Sequence, residues 1–218
     1  MEIRIVRPGT EDWQKSTALV RQRYSRNFDA DIEPSPDCFI GCFEDDDDGG
    51  QRVAACSGMS FGDRRPRFFS EQYLPDPIES MIARAENTPV SRSSIVEVGA
   101  LASAGKRAGT ELVQLLPVLI WCMGKRYVLC TATRPLRLLL EKNDIVLRPL
   151  GAASRESLPE QDSARWGNYY EQMPQVGYFS IAELTATFMR NTGRYRFSNP
   201  AVTLQAATHE DEAEYAVA

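Results

Sequence analysis

Residues 94–133 constrain the fold of this 218-residue chain more than any other stretch. Ser94-Ile95-Val96-Glu97-Val98-Gly99-Ala100-Leu101-Ala102 is an apolar run carrying a single carboxylate, which predicts a buried strand. A loop of small residues follows, Ser103-Ala104-Gly105-Lys106-Arg107-Ala108-Gly109, then a helical stretch, then a second apolar strand, Tyr127–Thr133. A glycine-containing loop that feeds a helix leaves several backbone N–H groups without intrahelical partners. Such groups suit an anion such as a phosphate.

The length fits one large domain over residues 1–190, followed by a polar tail over 191–218 rich in Ala, Glu and Asp. No apolar run reaches about 18 residues, so no membrane span is expected. Met-Glu-Ile-Arg-Ile-Val-Arg lacks an apolar signal segment, and a cytoplasmic location is expected. The five cysteines (Cys38, Cys42, Cys56, Cys122, Cys130) lie mostly in apolar runs, which suits reduced core thiols better than a disulfide framework. A net charge of -5 argues against broad nucleic-acid binding. The only histidine is His209, in the tail. A Ser-His-Asp triad, a Cys-His pair and a His-rich zinc site are therefore excluded, and proton transfer falls to carboxylate, Tyr, Cys, Lys or water.

Alternation of strand and helix patterns predicts an α/β arrangement with a mixed sheet. Strands are expected at Ile3–Val6, Cys38–Phe43, Arg52–Phe61 and Ile145–Leu150, besides the two above. Helices are expected from Thr10 to about Asn27, over Asp76–Glu86 with Pro77 in its first turn, over Pro135–Glu141 and over Ile181–Arg190. Glu44-Asp45-Asp46-Asp47-Asp48-Gly49-Gly50 reads as a hairpin tip; its spacing does not match a calcium loop, and no metal is expected. Ser154–Gly177 carries no clear periodicity.

Several residues could carry chemistry. Glu97 sits among apolar neighbours, where burial would raise its pKa and suit it as a general base or as a group orienting an arginine. Alternatively it faces solvent or pairs with Arg92. Gly99 inside a strand marks either a bulge or simple packing. A bulge would make Val98, Gly99, Ala100 and Leu101 a site where backbone N–H groups polarise a carbonyl. Lys106, Arg107, Gly109 and Thr110 form the anion loop, and Thr133 and Arg134 end the second strand beside it. Arg64, Arg65 and Arg67, with Lys125, Arg126 and Arg137, gather positive charge in an acidic protein, as a docking patch for an anionic partner or as solvated surface. Glu71 could bind or deprotonate an amine, and Tyr73 could protonate a leaving group; both also fit an aromatic packing stripe. Trp166, Tyr169 and Tyr170 could line a substrate pocket or pack in the core. Cys122 and Cys130 read as inert core thiols.

Three blocks resemble the thermostable hemolysin family: Phe69-Ser70-Glu71-Gln72-Tyr73-Leu74 with Pro77-Ile78-Glu79, Ile95–Ala102, and Trp166-Gly167-Asn168-Tyr169-Tyr170. The resemblance extends over roughly residues 15–178. That family is similar in turn to the GNAT superfamily and to acyl-homoserine-lactone synthases. The resemblance implies a mixed, mostly antiparallel central sheet flanked by helices, with one splayed strand pair gripping a thioester arm. It implies an N-acyltransferase, and Arg21–Phe28 resembles the Arg/aromatic segment of those synthases, placing Arg23, Tyr24 and Phe28 at the substrate. The GNAT phosphate loop reads Gln/Arg-x-x-Gly-x-Gly/Ala; aligned on Gly109, this chain has Ala104 and Arg107 at the first and fourth positions. A side chain at 107 crowds a pyrophosphate, which favours a phosphopantetheine arm on an acidic acyl carrier protein over coenzyme A. The expected reaction moves an acyl group from that thioester to an amine of a small molecule, in secondary-metabolite biosynthesis. The alternatives are an acyl-CoA-dependent N-acetyltransferase and a non-enzymatic, hemolysin-like binding protein.

Overall fold

The computed structural model describes residues 1–46, 49–191 and 193–194. In chain order the elements are β1 (Glu2–Val6), α1 (Glu11–Phe28), β2 (Cys38–Asp45), β3 (Gln51–Phe61), α2 (Ile78–Glu86), β4 (Ile95–Ser103) and α3 (Lys106–Cys122). There follow β5 (Tyr127–Ala132), α4 (Arg134–Lys142), β6 (Arg148–Ala152), α5 (Glu160–Ala164), β7 (Gln175–Ser180) and α6 (Thr185–Asn191). The strands form one seven-stranded sheet in the order β1-β2-β3-β4-β5-β7-β6. Every neighbouring pair is antiparallel except β4 with β5, which run parallel and are joined through α3.

Side-chain alternation divides the core in two. Along β2, Cys38, Ile40 and Cys42 face the α3 side with Leu112, Val113, Leu116 and Ile120. Phe39 and Phe43 face the α1 side with Leu19 and Val20. Residues buried on both faces explain why β2 reads as a continuous apolar run. On the far half of the α1 face, Ile78 and Ile82 of α2 pack on Ile95, Tyr127, Leu129 and Tyr178. Thr10 caps α1, accepting a hydrogen bond from Trp13 N–H at 3.2 Å, and Glu11 and Asp12 favour its positive end.

Three expectations shift. The strand expected at Ile145–Leu150 is β6 at Arg148–Ala152: Asp144, at φ 57°, turns the chain in the left-handed region, and Ile145 is buried in that turn. β6 is a sheet edge, where Pro149 costs no ladder bond. At the end of the stretch without clear periodicity and beyond it, β7 pairs with both β5 and β6. Cys122 is exposed rather than in the core, while the other four cysteines are buried and all five are free. The expected tail lies outside the described residues except for Asn191, Gly193 and Arg194; Asn191 ends α6, and Arg194 pairs with Glu111 on α3 at 2.9 Å. Asp47, Asp48 and His209 also lie outside the described residues. No helix among the described residues is long and apolar enough to cross a membrane.

Candidate active site

The parallel pair β4–β5 is joined for only three residues: Ile95–Tyr127, Val96–Val128 and Glu97–Leu129. Beyond them the strands part. On β4 a bulge follows at once. Gly58 pairs with Gly99 and Cys56 with Ala102, so one residue of β3 stands against two of β4. Ala100 takes φ 48°, in the left-handed region, so the backbone turns locally at the bulge. The sequence glycine therefore marks a real bulge, and the β5-facing edge of β4 beyond Glu97 has no strand partner among the described residues.

A cavity of about 230 Å3 fills the gap and passes through the sheet. Behind the sheet it is apolar, lined by Val113, Leu116, Pro117 and Ile120 of α3, Leu136 and Leu140 of α4, and Phe179 of β7. In front it is aromatic and polar. Trp166 lies 5.3 Å from Phe69 and 5.0 Å from Tyr169, and Tyr24 stacks on Tyr169 at 6.3 Å, measured between ring centroids. Val98, Gly99, Ala100 and Leu101 line the slot between the two chambers, opposite Cys130 and Thr131. Because β4 and β5 run in one direction, the starts of α3 and α4 open at the same edge of the sheet as the slot.

Glu97 is 8% exposed and lines this cavity. Its carboxylate accepts the Phe69 N–H at 3.0 Å and the Ser70 N–H at 2.7 Å. Burial raises its pKa, outweighing the hydrogen bonds from Ser70 and Phe69. It neither faces solvent nor pairs with Arg92. Arg92 instead forks onto Glu71, at 3.0 and 2.6 Å, and also reaches Glu79 at 2.8 Å. Glu71 further accepts the N–H groups of Phe68 (2.6 Å) and Ile78 (3.0 Å). Burial opposes its ionisation, yet Arg92 and these amides hold its pKa below the ordinary value. Glu71 is absent from the cavity wall. The expectation that it handles an amine is corrected: it is an internal anchor of the Ser70–Tyr73 turn.

Tyr73 lines the cavity, and its hydroxyl lies 2.9 Å from that of Tyr170. Burial and this contact push its pKa up, so it stays protonated. Tyr170 itself stands behind Tyr73 rather than on the wall. Burial likewise raises Tyr169, whose hydroxyl donates to the Thr131 carbonyl at 3.4 Å. Phe28 packs edge-on against Tyr24 and Tyr169, one layer out. Arg23 donates to the Ala104 carbonyl at 2.7 Å, beside the start of α3 and off the cavity wall. Lys106, Arg107 and Arg134 are exposed and Thr133 is buried at the entry to α4; none lines the cavity. The Thr110 hydroxyl bonds back to the Lys106 carbonyl at 2.9 Å. A Cβ on Gly109 would come within 2.8 Å of Ser103 Oγ, so the glycine serves the close approach of loop and helix.

Residues 6–185 match the thermostable hemolysin family. The chain belongs to that family. No curated protein matches it. Among solved structures the family member is similar to FeeM, an N-acyl amino acid synthase from uncultured soil microbes, with 13% identity, TM-score 0.56, and 86% of this chain and 99% of FeeM covered. It is similar to BjaI, a CoA-dependent acyl-homoserine lactone synthase bound to SAM and isopentyl-CoA, with 14% identity, TM-score 0.54, and 92% and 94% covered. It is also similar to the AHL synthase LasI, with 11% identity, TM-score 0.52, and 83% and 89% covered. At these identities the likeness concerns the fold, which is the GNAT-like fold of acyl-transferring synthases.

Several wall residues of this hemolysin-family chain carried no signal in its sequence. Ser70 and Thr131 meet only in three dimensions, Oγ to Oγ1, at 2.7 Å. The apolar chamber is built from helix positions that read as ordinary core. Cys130 lines the slot, yet burial, then Glu97, pushes its thiol up to about 12, which keeps it unreactive. The basic cluster divides. Arg65 lines the cavity and holds Asp37 at 3.0 Å and the Ser35 carbonyl at 2.6 Å, pinning the 32–36 segment over the opening. Arg67 donates to the Glu71 carbonyl at 3.0 Å. Arg64 lies over the Phe61 ring. Among the described residues no cluster of three His, Cys, Asp or Glu could hold a metal ion.

Proposed function

We propose that this protein is an N-acyltransferase that takes an acyl group from a pantetheine thioester, carried on an acyl carrier protein, to an amine of a small molecule. The observation that carries this reading is the cavity running between parted strands, with one chamber apolar and the other aromatic and acidic. A thioester threaded through the slot places its hydrocarbon against Leu116, Ile120 and Phe179. Its carbonyl then meets the open edge at Val98–Leu101, where backbone N–H groups stabilise the oxyanion. The acceptor amine enters from the aromatic side. Its nitrogen attacks the carbonyl carbon, the C–N bond forms, and the C–S bond breaks. Glu97, directly or through water, accepts the proton that the nitrogen loses; its raised pKa moves it toward the range of a useful base. The Tyr73 hydroxyl, held protonated, donates a hydrogen bond to the departing thiolate, which takes its proton from Glu97 or solvent. Holding both reactants in one slot supplies much of the rate.

Exposed Lys106, Arg107 and Arg134 at the starts of α3 and α4 suit the phosphate of the arm and an acidic carrier. Arg107 in place of a loop glycine disfavours the pyrophosphate of coenzyme A. A second reading, with acyl-CoA as donor, draws on the likeness to CoA-dependent BjaI. Turnover of one acyl group on carrier protein and on coenzyme A, measured side by side, separates the two. At least about tenfold higher kcat/KM with the carrier is expected, a difference of about 1.4 kcal/mol. Equal or better turnover with coenzyme A rejects the carrier preference. Leakage of liposomes without acyl transfer rejects the enzymatic reading.

A further inference from the structure

Where β4 and β5 part, one residue of a third element spans the gap. Strand pairing ends at Glu97–Leu129; continued in register, it would set Gly99 opposite Thr131. Instead the Thr131 Oγ1 lies 2.7 Å from the Ser70 Oγ, while the Ser70 backbone N–H donates to Glu97 at 2.7 Å. Ser70 is 1% exposed. A single buried serine is therefore bonded to Glu97 of β4 through its main chain and hydroxyl, and to β5 through the same hydroxyl.

The turn that carries Ser70 is fixed independently of this bridge. The Phe69 N–H is held by Glu97, and the Phe68 N–H by Glu71. Glu71 is clamped by Arg92, which lies three residues before β4. On the β5 side, the Thr131 carbonyl accepts from Tyr169. The bridge thus joins two braced elements through one short side chain. Short side chains have little reach, so the hydroxyl contact fixes the separation of the strands closely.

We propose that Ser70 is a positioning residue that, by bridging Glu97 and Thr131, sets the width of the slot and hence the grip on the thioester arm. The bridge stands on geometry alone; the grip rests on the acyl-transfer reading above. Ser70→Ala keeps the N–H bond to Glu97 but removes the hydroxyl's own hydrogen bond to Glu97 together with the bond to β5. Thr131→Val removes only the bond to β5, from the other side at nearly constant shape, and Thr131→Ser restores it.

Two measurements test this. Hydrogen exchange of the intact protein without ligand is followed over residues 129–133. Exchange there is expected to rise at least about threefold in S70A and T131V and to stay near wild type in T131S, with the rest of the sheet unchanged. Steady-state kinetics should show KM for the acyl donor raised about three- to tenfold in T131V with kcat nearly kept, the size of one lost hydrogen bond, whereas S70A should lower kcat as well because Glu97 loses the Ser70 hydroxyl. The double variant should be no worse than S70A alone, because S70A already removes the bond that T131V removes. Unchanged exchange in S70A overturns the bridge. Raised exchange with unchanged KM overturns the grip. If the wild type transfers no acyl group from either donor, the acyl-transfer reading fails, and the exchange comparison alone decides the bridge.

Discussion

Two glutamates are buried against the same short turn, and their surroundings have made them opposites. Glu71 is 5% exposed and Glu97 8%, so both are shielded from solvent, but Glu97 is the more deeply enclosed and suffers the greater desolvation. Glu71 holds a forked arginine and two main-chain amides away from the cavity; its pKa is lowered. Glu97 holds two amides and no cation on the cavity wall; its pKa is raised. A buried carboxylate with a cation beside it becomes a fixed charge that braces the fold. One with amides and a hydroxyl but no cation beside it keeps a protonation state that can change. Their shared turn carries Ser70 and Phe69 to the cavity wall, so the braced glutamate holds steady the two amides that Glu97 accepts from.

The largest expected effect breaks the braced side. Glu71→Ala leaves Arg92 with Glu79 as its carboxylate partner and should cost about 3 kcal/mol of stability in urea unfolding, as for a broken buried pair. Acyl transfer by the surviving folded protein should fall far less than in a Glu97 variant. The next sharpens the responsive side. Glu97→Gln should depress acyl transfer at least about tenfold and abolish the acidic limb of the pH–rate profile. In the wild type that limb should rise with pH through the folded pKa of Glu97, above its ordinary value of 4.5.

Stability against pH sets the two apart again. Glu71, lowered on folding, contributes stability above the unfolded carboxylate range, and this is lost as pH falls through its folded value. Glu97, raised on folding, contributes most below that range and loses its contribution as pH rises through its folded value. Unfolding curves from pH 3 to 8 should therefore show Glu71→Gln losing its deficit toward acid. Glu97→Gln should gain on wild type as pH rises.

How much of this was legible in the sequence follows the range of the forces involved. The strand with its single carboxylate, the bulge at Gly99 and the helix that follows are local patterns, and they hold. β7 escaped because Gln175-Val176-Gly177-Tyr178-Phe179-Ser180 is too short to show a period, and pairing with β5 and β6 makes it a strand. The opposite roles of Glu71 and Glu97 were not legible at all. Both looked like candidate bases, and only the fold brings Arg92 to the first. The apolar chamber was hidden for a similar reason, since Leu116, Ile120 and Leu136 read as any helix core does.

A smaller effect concerns that chamber. Leu136→Trp should fill its end and shift preference toward shorter acyl chains by about tenfold per methylene excluded, read as kcat/KM over a chain-length series. The smallest expected effect lies at the surface. Arg21 and Glu33 pair at 3.2 Å but are both more than half exposed, and Arg21→Ala should change stability by less than about 0.5 kcal/mol.

The account turns on what occupies the space between β4 and β5. A crystal structure of the protein soaked with a non-hydrolysable thioether of acyl-pantetheine examines it directly. The acyl chain should lie against Leu116, Ile120 and Phe179, with the carbonyl at Val98–Leu101 and Glu97 on the acceptor side. An arm bound elsewhere, with the slot between the two strands empty, would contradict the account.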